Sequence, residues 1–318
     1  MLQLPYRNLR QLLSACWLWL LWLRAGAANE QLSLTVMKKI LISLLCLAGV
    51  SQAAFVWVGE EITTAAWNNQ FNWAITGNTS FGGNSGQWNG KGPGVPGSDK
   101  WDTITLNKAA GNIAELEGWN IKLRLISSTL TVDKLKKFQV GANAVAQLDI
   151  DSSSILTFRS FADGNDGGLA TINCDGVFNL AYTKNQGGDG FAANLGKTGI
   201  MNLTSSSGEA YTAKIKSLSA SLETDAIRGE RSLITLGDNM SFDSTETTIT
   251  VTAADNWEKV NNELEAEAAA EAGRDTYWIT KDGKGIFLSW LKGESVPEPS
   301  TATLSLLALA ALAARRRR

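Results

Sequence analysis

The middle of the chain is a succession of short runs in which apolar and polar residues alternate. Between residues 121 and 252 these runs are IKLRLI, TLTV, KKFQV, VAQLDI, ILTFR, LATI, VFNL, IMNL, AKIKSLSASL, SLITL and TTITV. Gly, Asn, Asp and Ser fill the intervals between them. Alternation places every second side chain in a core, which is typical of half-buried β-strands. The sequence therefore predicts a mainly β protein, built as a sandwich, a barrel or a β-solenoid.

The composition removes several kinds of chemistry from consideration. No histidine occurs among the 318 residues, which excludes histidine triads, histidine general bases and histidine metal ligands. Asp149 and Asp151 lie two residues apart on one strand face, so they do not resemble an acid–base pair converging in a cleft. We therefore predict no enzymatic activity and no cofactor. Cys174 is expected to be a buried, small apolar residue.

The segment between the two terminal signals is acidic. Residues 54–293 contain 20 Lys and Arg against 28 Asp and Glu, a net charge of −8. An acidic surface disfavours nucleic acid as a partner, and it suits solubility outside the cell.

A secretory signal peptide is predicted at residues 37–53. Two lysines precede an apolar segment, residues 40–50, that is too short to span a bilayer. Ser51 and Ala53 then place small residues at the −3 and −1 positions of a cleavage site. We therefore expect signal peptidase to cleave before Ala54.

Residues 1–36 contain a further apolar stretch, LLSACWLWLLWL, behind two arginines. Its length falls well short of the ~20 residues that span a bilayer. We interpret residues 1–36 as an over-called start, meaning that they precede the true start codon and that translation begins at Met37. The rival interpretation is that the apolar stretch is a membrane anchor.

The C-terminal segment has three parts in a fixed order: a Pro-Glu-Pro motif, an apolar stretch and four arginines. Residues 301–314 are apolar or small throughout, which predicts a short membrane helix. Arginines beside such a helix stay on the cytoplasmic side and extend its reach by snorkelling. The prolines of residues 296–300 keep the chain extended, as a processing protease requires.

In these three parts the segment VPEPSTATLSLLALAALAARRRR resembles the PEP-CTERM sorting signal of Gram-negative bacteria. The resemblance implies recognition by an exosortase, cleavage near Pro297–Pro299 and transient contact with the membrane. It also implies delivery to the cell surface, the outer membrane or the extracellular matrix. The signal residues that it implies are Val296, Pro297, Glu298, Pro299, Ser300, Arg315, Arg316, Arg317 and Arg318.

The segment before the alternating runs is rich in tryptophan and ends in VPGSDKWDTITL. It resembles the N-terminal start of autotransporter-like β-helix passengers, and LTVDKLKKFQVGANAVAQLDIDSSSILTF resembles their rungs. The resemblance implies a right-handed parallel β-helix, with a β-sandwich as the alternative. Residues 54–120 would form a tryptophan-rich cap, and residues 121–252 would form the solenoid body.

The tryptophans allow two interpretations. Large aromatic side chains can cover the open end of a solenoid, which must be protected. Alternatively, Trp67, Trp73 and Trp88 form a platform on which sugar rings stack, and this interpretation requires exposed indoles.

Two glycine-rich loops offer a weak calcium site. Asp163, Asn165 and Asp166 are closely spaced oxygen ligands, and Asp189 lies in the second loop. The spacing lacks the remaining ligands of an EF-hand, so ordinary turn chemistry is the default and no metal is expected.

A helix and a hairpin are predicted over residues 253–293, before the sorting signal at residues 294–318. The helix would begin at Asp255 in DNWEKVNNELEAEAAAEAG, and the hairpin would turn at Asp282-Gly283. The predicted apolar stripe of the helix is Trp257, Val260, Leu264 and Ala268.

These observations favour a non-enzymatic, exported surface protein with a structural or adhesive role. Its expected partners are signal peptidase, exosortase, the membrane and surface glycans or exopolysaccharide. The alternative is a carbohydrate-binding or carbohydrate-active β-helix protein.

Overall fold

The structure is a computed structural model, and it describes residues 54–76, 92–93, 103–119, 122–139, 146–161, 170–183, 190–242, 247–254 and 256–293. These residues are mainly β, which confirms the predicted class. No helix among them is both long enough and apolar enough to cross a membrane. The predicted over-called start at residues 1–36, the predicted signal peptide at residues 37–53, with Ser51 and Ala53, and the predicted membrane helix at residues 301–314 lie outside the described residues.

Two large sheets contain most of the strands, which are numbered here in chain order. The first sheet contains Ala54–Trp57 (β1), Trp73–Thr76 (β3), Thr103–Asn107 (β4), Lys122–Ile126 (β6), Gln147–Ile150 (β8), Ala170–Cys174 (β10), Phe191–Leu195 (β12), Ile215–Ser221 (β15) and Thr248–Thr252 (β18). The second sheet contains Glu61–Ile62 (β2), Ala110–Trp119 (β5), Thr129–Gln139 (β7), Ile155–Phe161 (β9), Val177–Tyr182 (β11), Ile200–Ser205 (β13), Arg228–Leu236 (β16), Trp257–Lys259 (β19), Asp275–Asp282 (β20) and Gly285–Leu291 (β21).

The smaller elements connect or flank these sheets. Tyr211–Ala213 (β14) and Met240–Phe242 (β17) form a parallel pair of their own. Two α-helices, Thr64–Trp67 (α1) and Glu263–Glu271 (α2), and a 3-10 helix at Gln70–Asn72 complete the described elements.

Successive strands from β4 to β13 alternate between the two sheets, and each strand from β4 to β11 pairs in parallel with the strand two places further along the chain. Beyond them, β12 pairs in parallel with β15 and β13 with β16. The chain thus makes repeated turns, and each full turn adds one strand to each of the two sheets. Parallel stacking of this kind is consistent with a β-helix. It disfavours the β-sandwich alternative, whose sheets are antiparallel. Antiparallel pairs occur at the two ends, between β1 and β3 and among β16, β21 and β20.

The core lies between the two sheets and is built from side chains aligned across neighbouring strands. In the first sheet, Leu123, Leu148 and Ile172 are paired in register and fully buried. In the second, Phe158 packs edge-on against Phe178 at 5.9 Å between ring centroids. Burying each such side chain stabilises the fold by about 1.5–3 kcal/mol. The alternation in the sequence is therefore the inward and outward alternation of the stack.

Parallel pairing already includes the segment that was predicted to form a separate cap. β1 pairs in parallel with β4, and β4 pairs with β6, so the stack begins before residue 121. The division of the chain at residue 120 stays a prediction.

The helix near the C-terminus begins later than predicted. The side-chain oxygen of Asn262 accepts the backbone N–H of Glu265 at 3.0 Å, and the Glu265 carboxylate accepts the backbone N–H of Asn261. This reciprocal arrangement makes Asn262 the N-cap. Trp257 belongs instead to β19, which pairs with β20, and the predicted cap Asp255 lies outside the described residues.

The predicted apolar stripe of this helix is wrong, because α2 starts after Trp257 and Val260. Its buried residues are Ala266, Ala269 and Ala270, whereas Leu264 is 77% exposed. The predicted hairpin is confirmed: β20 and β21 pair across a turn in which the Asp282 carboxylate accepts the backbone N–H of Lys284 at 2.7 Å.

Candidate functional site

A groove of about 290 Å³ crosses four strands on the outer face of the first sheet. Two parallel rows of residues line it, and the rows lie two residues apart along each strand. The first row consists of Arg124, Asp149, Asn173 and Asn194, on β6, β8, β10 and β12. The second row consists of Ile126, Asp151, Asp175 and Gly196, at or just after the ends of the same strands. Both rows follow from the parallel register, which repeats the same position once in every turn of the chain.

Hydrogen bonds between side chains run along the first row. The Asn173 amide donates to Asp149 Oδ1 at 2.7 Å, and the Asn194 amide donates to Asn173 Oδ1 at 2.8 Å. Ser219 on β15 extends the row by donating its hydroxyl to Asn194 Oδ1 at 2.7 Å. Gln147 also donates to Asp149, at 2.7 Å. These bonds fix the orientation of the amides, and each amide keeps a second N–H for another acceptor.

Arg124 occupies the end of this row and differs from its neighbours. Its side chain is exposed, and it forms no hydrogen bond or ion pair with any described residue. A guanidinium presents five N–H donors in a planar fork. Arg124 therefore offers its donors to the groove.

Asp151 in the second row is held by serines at the corner where the chain leaves the first sheet. Its carboxylate accepts the Ser154 hydroxyl at 2.6 Å, the Ser127 backbone N–H at 2.9 Å and the Ser153 backbone N–H at 3.2 Å. Partial burial by itself would raise the pKa of Asp151. The hydrogen bonds from Ser154, Ser127 and Ser153 together outweigh that effect and lower its pKa below the ordinary value.

We expect Asp151→Asn to destabilise the protein at neutral pH by about 1–2 kcal/mol, because the new amide turns a donor toward the N–H of Ser127. The folded-state pKa of Asp151 is lowered, so its contribution is present above the unfolded-state pKa of about 4 and is lost as the pH falls through the folded-state value. Urea unfolding measures the free energy of unfolding of wild type and variant at pH 7 and at pH 3. The difference between the two proteins should therefore be smaller at pH 3.

Asp225→Asn, at an exposed position, is the control for this experiment and should leave stability within about 0.5 kcal/mol of wild type. If the difference in the free energy of unfolding between wild type and Asp151→Asn is the same at pH 7 and at pH 3, the proposed role of the Asp151 carboxylate is wrong.

Cys174 lies beside the groove but points into the core. It is buried, as predicted, and pairs in register with Ile150 and Leu195. Burial raises the pKa of its thiol to about 11, and the neutral thiol donates to the carbonyls of Gly176 and Ile200. The thiol is therefore protonated at neutral pH and suits a packing role.

Trp67 and Trp73 do not form an exposed platform. Trp67 is 0% exposed and Trp73 is 5% exposed, and their ring centroids lie 4.7 Å apart in an edge-to-face contact. The Trp67 indole N–H donates to the Pro93 carbonyl at 3.0 Å, and the Trp73 indole N–H donates to the Trp67 carbonyl at 2.8 Å. Neither ring presents a face to a sugar, because the end of the stack must bury apolar surface. Trp88 lies outside the described residues.

Several other predicted site residues also lie outside the described residues. They comprise the calcium candidates Asp163, Asn165 and Asp166, and the sorting residues Val296, Pro297, Glu298, Pro299, Ser300 and Arg315 to Arg318. Ala54, the predicted first residue after cleavage, begins β1. Within the described ranges, no three acidic or cysteine side chains are grouped so as to hold a metal ion.

Arg124, Asn173 and Asn194 were not predicted from the sequence as site residues. Aligning the runs KLRLI, QLDI, ATINC and FAANL by their inward residues would have placed these polar residues at one offset. That alignment needs the parallel register, which the irregular spacing of the runs conceals.

Comparison with protein families finds a match at the C-terminal end of the chain. Residues 295–318 match the PEP-CTERM protein-sorting motif. The motif indicates an exported protein that exosortase processes and that associates with the cell surface in bacteria. Searches of curated proteins and of solved structures each find no match to this chain.

Proposed function

We propose that this chain, which carries a PEP-CTERM sorting motif, is exported, processed by exosortase and retained at the cell surface in a structural or adhesive role. The motif at residues 295–318 is the observation that carries the proposal. Signal peptidase removes residues 37–53, together with anything that precedes them. The part displayed at the outer membrane or in the extracellular matrix is a right-handed parallel β-helix.

The geometry of the stack supports a structural role. Each turn of the chain is hydrogen-bonded to the turns on either side, in both sheets, from β4 to β13. Side-chain ladders add a second set of bonds on the outer faces. In the second sheet, Asn179 donates to Thr157 at 3.0 Å and Asn202 donates to Asn179 at 2.7 Å. A rod bonded in this way resists local opening, which suits a protein exposed outside the cell.

The C-terminal segment is inserted into the membrane and cleaved in successive steps. Residues 301–314 stop in the membrane with Arg315–Arg318 on the cytoplasmic side. Val296 to Ser300 then lie just outside the membrane in an extended form, since proline disfavours helix there. Exosortase cleaves near Pro297–Pro299 and releases the folded part from its temporary anchor.

Intact mass measurement of the chain recovered from a bacterium that contains exosortase tests this proposal. The wild-type chain should begin at Ala54 and end near Val296–Ser300. A variant with Pro297, Glu298 and Pro299 all replaced by alanine should keep residues 301–318 and fractionate with the inner membrane. The expected change is the loss of most processed product, because the extended recognition segment is removed.

Glu294→Ala, immediately before the matched residues, is the control and should be processed as efficiently as wild type. The proposal fails if the wild-type chain at the surface still carries Arg315–Arg318. It also fails if the triple variant is processed like wild type.

A further inference from the structure

We propose that the groove on the first sheet binds an uncharged polysaccharide chain. The groove is the space between the row Arg124, Asp149, Asn173 and Asn194 and the row Ile126, Asp151, Asp175 and Gly196. The proposal goes beyond exosortase sorting and does not depend on it, because all eight residues lie in the folded part of the chain.

The lining of the groove matches a ligand that both donates and accepts hydrogen bonds. Arg124 and the second N–H of the Asn173 and Asn194 amides are donors. Asp175 offers a carboxylate as an acceptor on the opposite row. Hydroxyl groups satisfy both kinds of partner, since each hydroxyl is one donor and two acceptors. A sugar carries several hydroxyls at fixed spacing, whereas an apolar ligand would leave these groups unpaired.

The charges on the two rows favour an uncharged ligand. Three carboxylates, those of Asp149, Asp151 and Asp175, surround the groove. Arg124 is the only cation among the described residues that line it, and Arg231 lies close enough to Asp175 to interact with its charge, which still leaves an excess of one negative charge. An anionic polymer would be repelled by this excess of negative charge. The carboxylates of Asp149 and Asp151 are already hydrogen-bonded, so they are poorly placed to bind an added cation.

The shape of the groove favours a chain over a single small sugar. Four neighbouring strands at a spacing of about 4.8 Å make each row about 14 Å long. The rows are open at the surface and repeat similar groups once per strand. Half-buried Ile126 supplies an apolar contact for the C–H face of a sugar ring. An extended polymer lying across the strands therefore meets the same kind of partner several times.

The second sheet carries a comparable ladder of side chains. Its Asn179 and Asn202 are bonded like Asn173 and Asn194. Arg159, two residues beyond the ladder residue Thr157 on β9, is bound to Asp133 at 2.9 Å. The ladder alone is thus a structural feature of this stack. What marks the first sheet is that Arg124 lines the groove and has no hydrogen-bond or ion-pair partner among the described residues.

Binding at this groove is expected to be weak for one molecule. No aromatic ring of a described residue lines it, so we count no stacking and expect a dissociation constant of about 1 mM. Many copies displayed on one surface would bind a long polymer much more tightly than one copy does.

Affinity gel electrophoresis of the full-length chain in non-ionic detergent tests the proposal. The gels contain a neutral glucan, mannan, galactan or xylan, or one of the anionic polymers pectate and alginate. We expect retardation by at least one neutral polymer and by neither anionic polymer. Arg124→Ala should weaken the retardation about tenfold, which corresponds to the loss of a hydrogen bond from a charged donor.

Arg159→Ala is the matched control, since it removes an exposed arginine from the other sheet and should leave retardation unchanged. Asn202→Ala is the matched control for Asn194→Ala, which should weaken binding as well. Equal unfolding temperatures confirm that each compared pair is folded. The proposal is overturned if no neutral polymer retards the chain, if only anionic polymers do, or if Arg124→Ala and Arg159→Ala behave alike. None of these results bears on processing by exosortase.

Discussion

Replacing Trp67 by alanine is expected to lower the free energy of unfolding by about 4 kcal/mol. Trp67 is 0% exposed and lies in contact with two other indoles, stacked on Trp57 at 6.0 Å and edge-on to Trp73 at 4.7 Å. The substitution leaves a cavity at the end of the stack. It also leaves the buried carbonyl of Pro93 without the indole N–H that it accepts. Urea unfolding followed by circular dichroism measures the change.

Phe71→Ala is the control for this prediction. Phe71 belongs to the same region but is 73% exposed, so its removal should change stability by less than about 0.5 kcal/mol. Similar unfolding midpoints for Trp67→Ala and wild type would mean that the tryptophan cluster does not close the stack.

Replacing Gly199 by alanine is expected to destabilise the protein by about 3 kcal/mol. Gly199 lies at the corner between β12 and β13, directly against the preceding turn of the chain. A Cβ added there would overlap the carbonyl oxygen of Cys174, which is backbone and cannot rotate away. Two neighbouring turns would have to separate, and the hydrogen bond from Gly196 N–H to the Cys174 carbonyl would lengthen. Thermal and urea unfolding measure the loss.

Gly283→Ala is the matched control, because an added Cβ at Gly283 meets no atom within 4 Å. It should leave the unfolding midpoint close to that of wild type. An equal effect of the two substitutions would contradict close contact between turns at the corner.

The hairpin and the helix of residues 253–293 show which structural features a sequence pattern predicts and which it does not. The Asp282-Gly283 turn is local, and the structure confirms it. The start of α2 was misplaced, because the segment from Trp257 to Lys259 pairs with β20 instead of joining the helix. That pairing links residues about twenty positions apart, and helix propensity along the chain carries no information on it.

The candidate groove was not predictable in the same way. Asp149 was considered from the sequence as a possible catalytic carboxylate, but its hydrogen-bond partner Asn173 lies 24 residues away. Irregular loop lengths between the strands hide the repeat, so Arg124, Asn173 and Asn194 appear unrelated in the sequence. Only parallel pairing in register brings them into one row.

The sequence by itself determined the features that depend on neighbouring residues. Alternating runs specified strands, and the order of Pro-Glu-Pro, apolar stretch and arginines specified the sorting motif at residues 295–318. Tertiary structure alone decided which strands pair, that Trp67 and Trp73 are buried, and that Arg124 lines a groove with no partner among the residues that the structure describes. The physical reason is that burial and strand pairing arise from contacts between distant parts of the chain. Alternation and short motifs depend only on consecutive residues.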